Sequence, residues 1–510
     1  MSAENQIYRA IDIDSLLANE NQPLLDIIKD FINNQVPRLE TLENYYEGQN
    51  ETIVNTSRRQ NTNKADNRAV HPFAEYIADF QTAYSVGKPI KLTFDSDKSD
   101  VLDPIVQGID KLNNADVLNY KLFLDATKYG RAVEQVFYGE DEDYHFVRLD
   151  PKTAFIIYST DLVPKPLASV RINSVTTYGQ QAETTNYFEI YTDTQLITAT
   201  SGQQMDSLEN IQVATNPVGK IPVFEYWNND DRMGDYEKVI PLIDLYDAAE
   251  SDTANYMQDF NDATLVLEGD LEALDLDTDV MQTMLDMNVL SLQTGKDVDG
   301  KQTSASASYL TKSMDTIGAE AYKKRLATDI HKFSKTPQYT DSDFANNVSG
   351  VAMQYKLLGT VEMAEIKRRN FEHGLRERYR ILSYLMLGQD GKGGAGMPLS
   401  LQQDLGVTIP DGFNPNKLKF KFTDNLPQDT EATVNTTVQL SGIISRETQI
   451  ENLSGVLNID TDEELKRLEE EDNGSNTTAG YDLPTSLDES GQQVPQPDEP
   501  NTTQAQSTVE

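Results

Sequence analysis

The sequence has no cysteine, a single tryptophan and only four histidines in 510 residues. Without cysteine there are no disulfides, no thiolate metal sites and no Cys nucleophile. The histidines, His71, His145, His331 and His373, are widely separated and form no ligand-spaced motif. No apolar run approaches the roughly 18 residues that span a bilayer, so no membrane partner is expected. The first residues, MSAENQIYRAIDID, carry no basic-then-apolar signal, and synthesis in a reducing cytoplasm is the simple expectation. GxxxxGK[ST], HExxH and GxSxG are all missing. Neither an enzyme nor a cofactor is therefore expected. Paired carboxylates remain open, because many acids permit many pairs and nothing picks one out.

Positive charge is also scarce. Lys and Arg number 43 against 83 Asp and Glu, a formal net charge of −40. Residues 461–510 hold thirteen acids and two bases, net −11, which leaves −40 + 11 = −29 on the rest. The acidity is thus not a tail effect. It serves solubility, or it makes a surface that repels phosphate.

What is present reads as α+β, with a length that suits two to four domains. Leu25, Ile28, Phe31, Ile32 and Leu39 recur near a 3.6 period, giving a helix over 24–46. A second helix covers about 71–86, with Pro72 near its first turn. KPIKLTF (88–94) reads as a strand. RAVEQVFY (131–138) and YHFVRL (144–149) flank GEDED as a hairpin, and AFIIYST, ASVRI, NYFEIYT and QLITAT add short strands.

From Val239 the pattern turns helical. Leu242, Tyr246, Ala249, Thr253, Tyr256, Phe260 and Ala263 alternate steps of four and three, a heptad-like seam closed by Gly269. An ordinary amphipathic helix would look like this, and so would one packed between identical neighbours, its acidic side facing solvent or a channel. Residues 270–310 form a compact insertion with VLSLQTG as a strand. A further helix runs over about 313–333, and a third over 351–387 with the stripe Leu357, Val361, Ala364, Phe371, Leu375 and Leu382. LKFKFTD (418–424) reads as a strand, short helices follow, and disorder is expected from Asn473.

Three features invite functional readings. The neutral loop Asn346, Asn347, Val348, Ser349 and Gly350 precedes the third helix. That helix carries a basic patch: Lys367, Arg368, Arg369, Arg376, Arg378 and Arg380, interrupted by Glu372 and Glu377. The patch either touches phosphate or pairs with acids of a neighbouring subunit or domain, and the apolar stripe favours pairing. Two weaker motifs fail. Gly391–Gly396 spells GxGxxG but follows a helix rather than a strand. Asp275-x-Asp277-x-Asp279 lacks the Gly and Glu of a calcium loop, having Val280 and Asp286 there.

The order and spacing of YYEGQN (45–50), AYSVGKPI (83–90), YGRAVEQVFYGEDE (129–142), residues 221–269 and NNVSGVAMQYKLLGTVEMAEIK (346–367) resemble the portal proteins of tailed bacteriophages, the siphophage type infecting Gram-positive bacteria. The resemblance spans about 25–470. It implies a portal fold with a mixed α/β wing, two-helix stem, small α/β clip, long tunnel-associated helix and helical crown. By position, 1–24 is an N-terminal arm, 25–237 the wing, 238–268 and 312–334 the stem helices, 269–311 the clip and 335–350 the tunnel loop. The long wing helix is 351–388, the wing return 389–425, the crown 426–472 and the tail 473–510.

It further implies a ring, usually of twelve subunits, at one capsid vertex, assembled in the host cytoplasm. Double-stranded DNA enters through it, driven by the terminase large subunit, and leaves by it. A head–tail adaptor docks on it, and major capsid and scaffolding proteins surround it. An acidic wall suits this, since it limits lasting phosphate contacts. Another ring-forming head–tail connector is the alternative; a carboxylate- or metal-dependent hydrolase has no motif behind it.

Overall fold

The computed structural model describes residues 7–56, 66–96, 98–178, 183–261, 264–269, 283–284, 289–293, 306–310, 316–338, 350–388, 394–398, 401, 413–425, 430–457 and 461–474. Two compact units emerge, 1–426 and 427–510.

The first unit opens with β1 (Arg9–Ala10), α1 (Ile13–Leu16) and α2 (Ala18–Asp30). A π-helical turn, Phe31–Gln35, joins α2 to α3 (Val36–Tyr46), making one long rod of the helix expected over 24–46. Then come α4 (Glu51–Val54), α5 (Phe73–Val86), β2 (Lys91–Phe94), α6 (Ser99–Leu112) and α7 (Ala115–Tyr129). The strands β3 (Arg131–Tyr138), β4 (Tyr144–Leu149), β5 (Ala154–Ser159), β6 (Pro166–Thr177), β7 (Glu183–Tyr191), β8 (Gln195–Ser201), β9 (Glu209–Thr215) and β10 (Val223–Trp227) follow. The expected hairpin is present, with Val133 opposite Leu149 and Tyr138 opposite Tyr144.

One sheet has the order β1-β5-β6-β7-β8-β9 and another β10-β3-β4. The six-stranded sheet buries Val170, Ile172, Phe188, Ile190 and Ile197 against Leu24, Ile28 and Phe31 of the rod. The period-2 alternation along β7 and β8 is the signature of this one-sided burial.

Next is α8 (Ile240–Asn261). It stops short of the stem helix expected to run to 268, because Thr264–Gly269 is a strand, β11. β11 pairs in parallel with β12 (Val289–Gln293) and antiparallel with β13 (Ser306–Leu310). The β-branched, apolar TLVLEG gains two strand neighbours, which outweighs continuing the helix. The expected strand VLSLQTG coincides with β12. After it, α9 (Thr316–Ser334) returns beside α8. Lys323 pairs with Glu250, and Ile330 shares a buried cluster with Val239 and Ile243, so the two helices run antiparallel.

The long helix α10 (Gly350–Leu387) has 38 residues, about 57 Å at 1.5 Å per residue. Gly350 is its first residue rather than the last of the loop. α10 lies on β10 and β3, and its Phe371, Leu375, Tyr379 and Leu382 complete the largest core with Leu102, Ile105, Phe123, Val136 and Tyr226. Gly374 lets the helix sit flush on the Tyr226 ring: an added Cβ would collide with that ring. β14 (Leu418–Lys421) pairs with β2.

The second unit holds α11 (Thr430–Gln439), α12 (Arg446–Leu457) and α13 (Thr461–Gly474), each packed on the one before it.

Candidate channel-forming site

Four polar clamps fix α10 to the first unit. Arg378 Nε donates to both Glu134 oxygens, at 2.9 and 3.0 Å, and Arg378 Nη1 donates to Asn119 Oδ1 at 2.8 Å. The Tyr226 hydroxyl donates to Glu134 Oε2 at 2.5 Å. Burial pushes the Glu134 carboxyl up. Burial also works against the Arg378 charge, but the Glu134 carboxylate outweighs it and holds the guanidinium protonated.

The second clamp is the Tyr379 hydroxyl, which donates to Asp110 at 2.7 and 2.8 Å. Burial raises Asp110 to about 6, against the pull of Tyr379 and Arg378. In the third, Lys367 Nζ donates to Asp235 Oδ2 at 2.5 Å and to Thr127 Oγ1 at 2.9 Å. Burial lowers this ammonium, with Asp235 opposing. In the fourth, Arg368 reaches the carbonyls of Ser85 and Tyr84 and pairs with Glu365 and Asp424.

Half of the basic patch is thus internal. Lys367, Arg368 and Arg378 are buried ion-pair partners within the same chain. Arg376 pairs with Glu372 and Arg380 with Glu377 along the helix. Only Arg369, exposed on α10, has no ion pair among the described residues. A sequence window shows the cations, but not that Glu134 and Asp235 arrive from over 100 residues away to receive them.

The seam on α8 is divided. Leu242 and Tyr246 pack against the chain's own cluster of Tyr236, Val239, Ile243 and Ile330. Ala249, Thr253 and Tyr256 are half-buried, and the Thr253 hydroxyl donates to the Ala249 carbonyl. Phe260 lies in the helix, whereas Ala263 falls outside the described residues. The most buried side of α8 is polar: Asp247, Ser251 and Asn255, at steps of four. Asp247 accepts from Asn50, from the His71 amide and from the His71 ring at 2.9 Å. Ser251 and Asn255 accept from the amides of Ala69 and Asn67.

The acidic side expected to face solvent or a channel is therefore partly consumed. Asp244 accepts from Tyr45 and Asn50, and Glu250 pairs with Lys323. The four-residue spacing of Asp247, Ser251 and Asn255 was visible in the sequence, but an apolar seam search passes over it.

Asn346 to Ser349 lie outside the described residues, as do Asp275 to Asp279 and the tail from 475. What brackets the loop is held firmly. The Tyr76 hydroxyl donates to the Pro337 carbonyl at 2.7 Å, and the Thr360 hydroxyl to the Lys335 carbonyl at 2.8 Å. The end of the GxGxxG stretch closes α10: the amides of Ala395 and Gly396 donate to the carbonyls of Leu385 and Met386. No group of three or more His, Asp or Glu able to hold a metal occurs among the described residues. No helix among them is long and apolar enough to cross a membrane.

The described residues thus combine a mixed α/β unit, an antiparallel helix pair joined through a small sheet, and a long clamped helix. A sequence profile described as "Phage portal protein, SPP1 Gp6-like" matches residues 25–478, and the chain belongs to that family. It is 24% identical over 482 residues to the portal protein of Bacillus phage SPP1, covering 91% of this chain and 86% of that one. It is thus a structural, non-enzymatic component of a phage capsid, built as an oligomeric ring through which DNA passes.

Proposed function

We propose that twelve copies form the ring, that α8 and α9 build its stem, and that the three-stranded sheet joining their far ends is the clip. The clip meets the terminase large subunit during packaging and a head–tail adaptor afterwards. The wing and the α11–α13 unit, its crown, face the capsid and scaffolding proteins, and assembly takes place in the host cytoplasm. Asn346 to Ser349 act as the tunnel loop. They are short and uncharged, so they can brush a moving duplex without the counterion release that makes phosphate binding strong.

The observation that carries this reading is the antiparallel α8–α9 pair, bridged at one end by β11–β13 and rooted at the other in the wing core. Half-exposed Ala249 and Tyr256 supply the part of the seam open to a neighbour. Electron microscopy of the purified protein tests the ring, with twelve-fold class averages as the expected result. A packaging assay on a deletion of 346–349 tests the loop. Intact rings that fail to package DNA support it, and normal packaging removes the loop from the mechanism.

A further inference from the structure

The two stem helices differ sharply in charge. α8 carries Asp244, Asp247, Glu250, Asp252 and Asp259 and not one Lys or Arg. α9 carries Lys323, Lys324, Arg325 and Lys332 against Glu320 and Asp329, a net of 4 − 2 = +2 in a chain of net −40.

Their outward faces sharpen the contrast. At 100° per residue, the side of α9 turned toward α8 is Lys323, Leu326, Ile330 and Ser334, all buried. Opposite it run Ile317, Ala321, Lys324, Arg325, Thr328 and Lys332, all exposed, with Ile317 at 82% and the Arg325 side chain at 81%. This stripe is basic with an apolar end. On α8 the side away from Asp247 and Ser251 is Pro241, Leu245, Ala249, Asp252 and Tyr256, exposed or half-exposed, with Leu245 at 48%. This stripe is apolar and acidic.

The faces are unlike and complementary. A cyclic ring is built from such heterologous contacts, in which one patch meets a different patch on the next copy. We infer that the Leu245–Asp252 face of α8 in one subunit packs on the Lys324–Arg325 face of α9 in the next. Leu245 and Tyr256 bury apolar area, and the α9 cations meet the acid of α8. Like charge across an interface costs several kcal/mol, so an α8–α8 contact is disfavoured and the ring closes in one sense. This deepens the stem assignment above and rests on the ring reading.

The absence of cysteine makes the test clean. A panel pairing Leu245→Cys or Asp252→Cys on α8 with Lys324→Cys or Thr328→Cys on α9 is oxidised and run on denaturing gels. Each pair points to opposite outer sides of its own hairpin, so a bridge forms between copies. The expected result is a ladder of covalent multimers from at least one pair, with monomer only from each single-cysteine protein.

Lys324→Glu with Arg325→Glu should shift native mass spectra from rings to monomers at unchanged circular dichroism. Adding Asp252→Lys in the same chain should restore rings. Wild-type rings without any ladder overturn this interface and leave the ring intact. Failure of the wild type to form rings at any salt or concentration overturns both. Charge-reversed chains that still form rings overturn the electrostatic pairing.

Discussion

Arg378 and Glu134 lie 244 positions apart in the sequence and meet at 2.9 Å with neither side chain exposed. One comes from the last third of α10 and the other from the central strand of β10-β3-β4. Removing one partner leaves an uncompensated buried charge. Arg378→Ala should therefore cost about 3–5 kcal/mol, whereas the double change Arg378→Met with Glu134→Leu should recover most of it. Thermal denaturation of the four proteins of the cycle reads this directly. Equal losses from the single and double variants would show that packing, not charge, dominates.

Acid should help one part of the first unit. Asp110 and Asp125 are raised to about 6 by burial, despite the Tyr379 hydroxyl beside the first and the Arg148 guanidinium on the second. Their unfolded values are near 3.9. A carboxyl whose folded value is raised binds its proton more tightly when folded. Its stabilising contribution is full below about pH 4 and is lost as pH rises through 6. Asp110→Asn should therefore flatten the melting temperature between pH 4 and 7, relative to wild type. Identical pH profiles would remove Asp110 from that dependence.

Gly130 ends α7 with a left-handed backbone, φ 81°. A Cβ there would collide with the Arg232 carbonyl. Both the conformation and the space forbid a side chain, so Gly130→Ala should cost more than about 1 kcal/mol, read as a lowered melting temperature. Gly48→Ala shares the positive φ, 72°, but meets nothing within 4 Å, and should cost less.

The single tryptophan offers a probe of α10. Trp227 on β10 stacks on His373 of α10 with centroids 4.6 Å apart, and the Arg232 guanidinium lies over the same ring at 4.6 Å. Burial lowers His373 below the ordinary histidine range. Trp227 emission should change at a pH below the ordinary histidine value. A change that survives in His373→Phe would assign the titration to another group.

Much of this was legible in the sequence and some was not. The short runs rich in Thr, Tyr and Ile announced β5 to β8, and β7 and β8 alternate because only one face meets the rod. α6 was missed although Leu102, Ile105, Val106 and Ile109 keep a helical period, because Pro104 and Gly108 read as breakers. Gly108 is there because Leu401 packs where a Cβ would go. The end of α8 was misplaced because β11 is chosen by β12 and β13, over 20 residues downstream, and local periodicity carries no trace of that pairing. The basic patch was legible as residues but not as a site, since its distant acids come from β3, the turn before α8 and the chain just after β14. The portal assignment survived these errors because it rested on the order of whole segments.

The clamps on α10 have a mechanical consequence. Lys367, Arg368, Arg378 and Tyr379 span about 18 Å of helix at 1.5 Å per residue, and their acceptors belong to the α5–α7 and β3 part of the first unit and the turn before α8. A push along the helix axis is borne in shear by these ties and passes into the sheet behind them. Upstream, among the described residues, the Thr360 hydroxyl ties the helix to the Lys335 carbonyl. The load path among the described residues therefore runs through the second half of the helix.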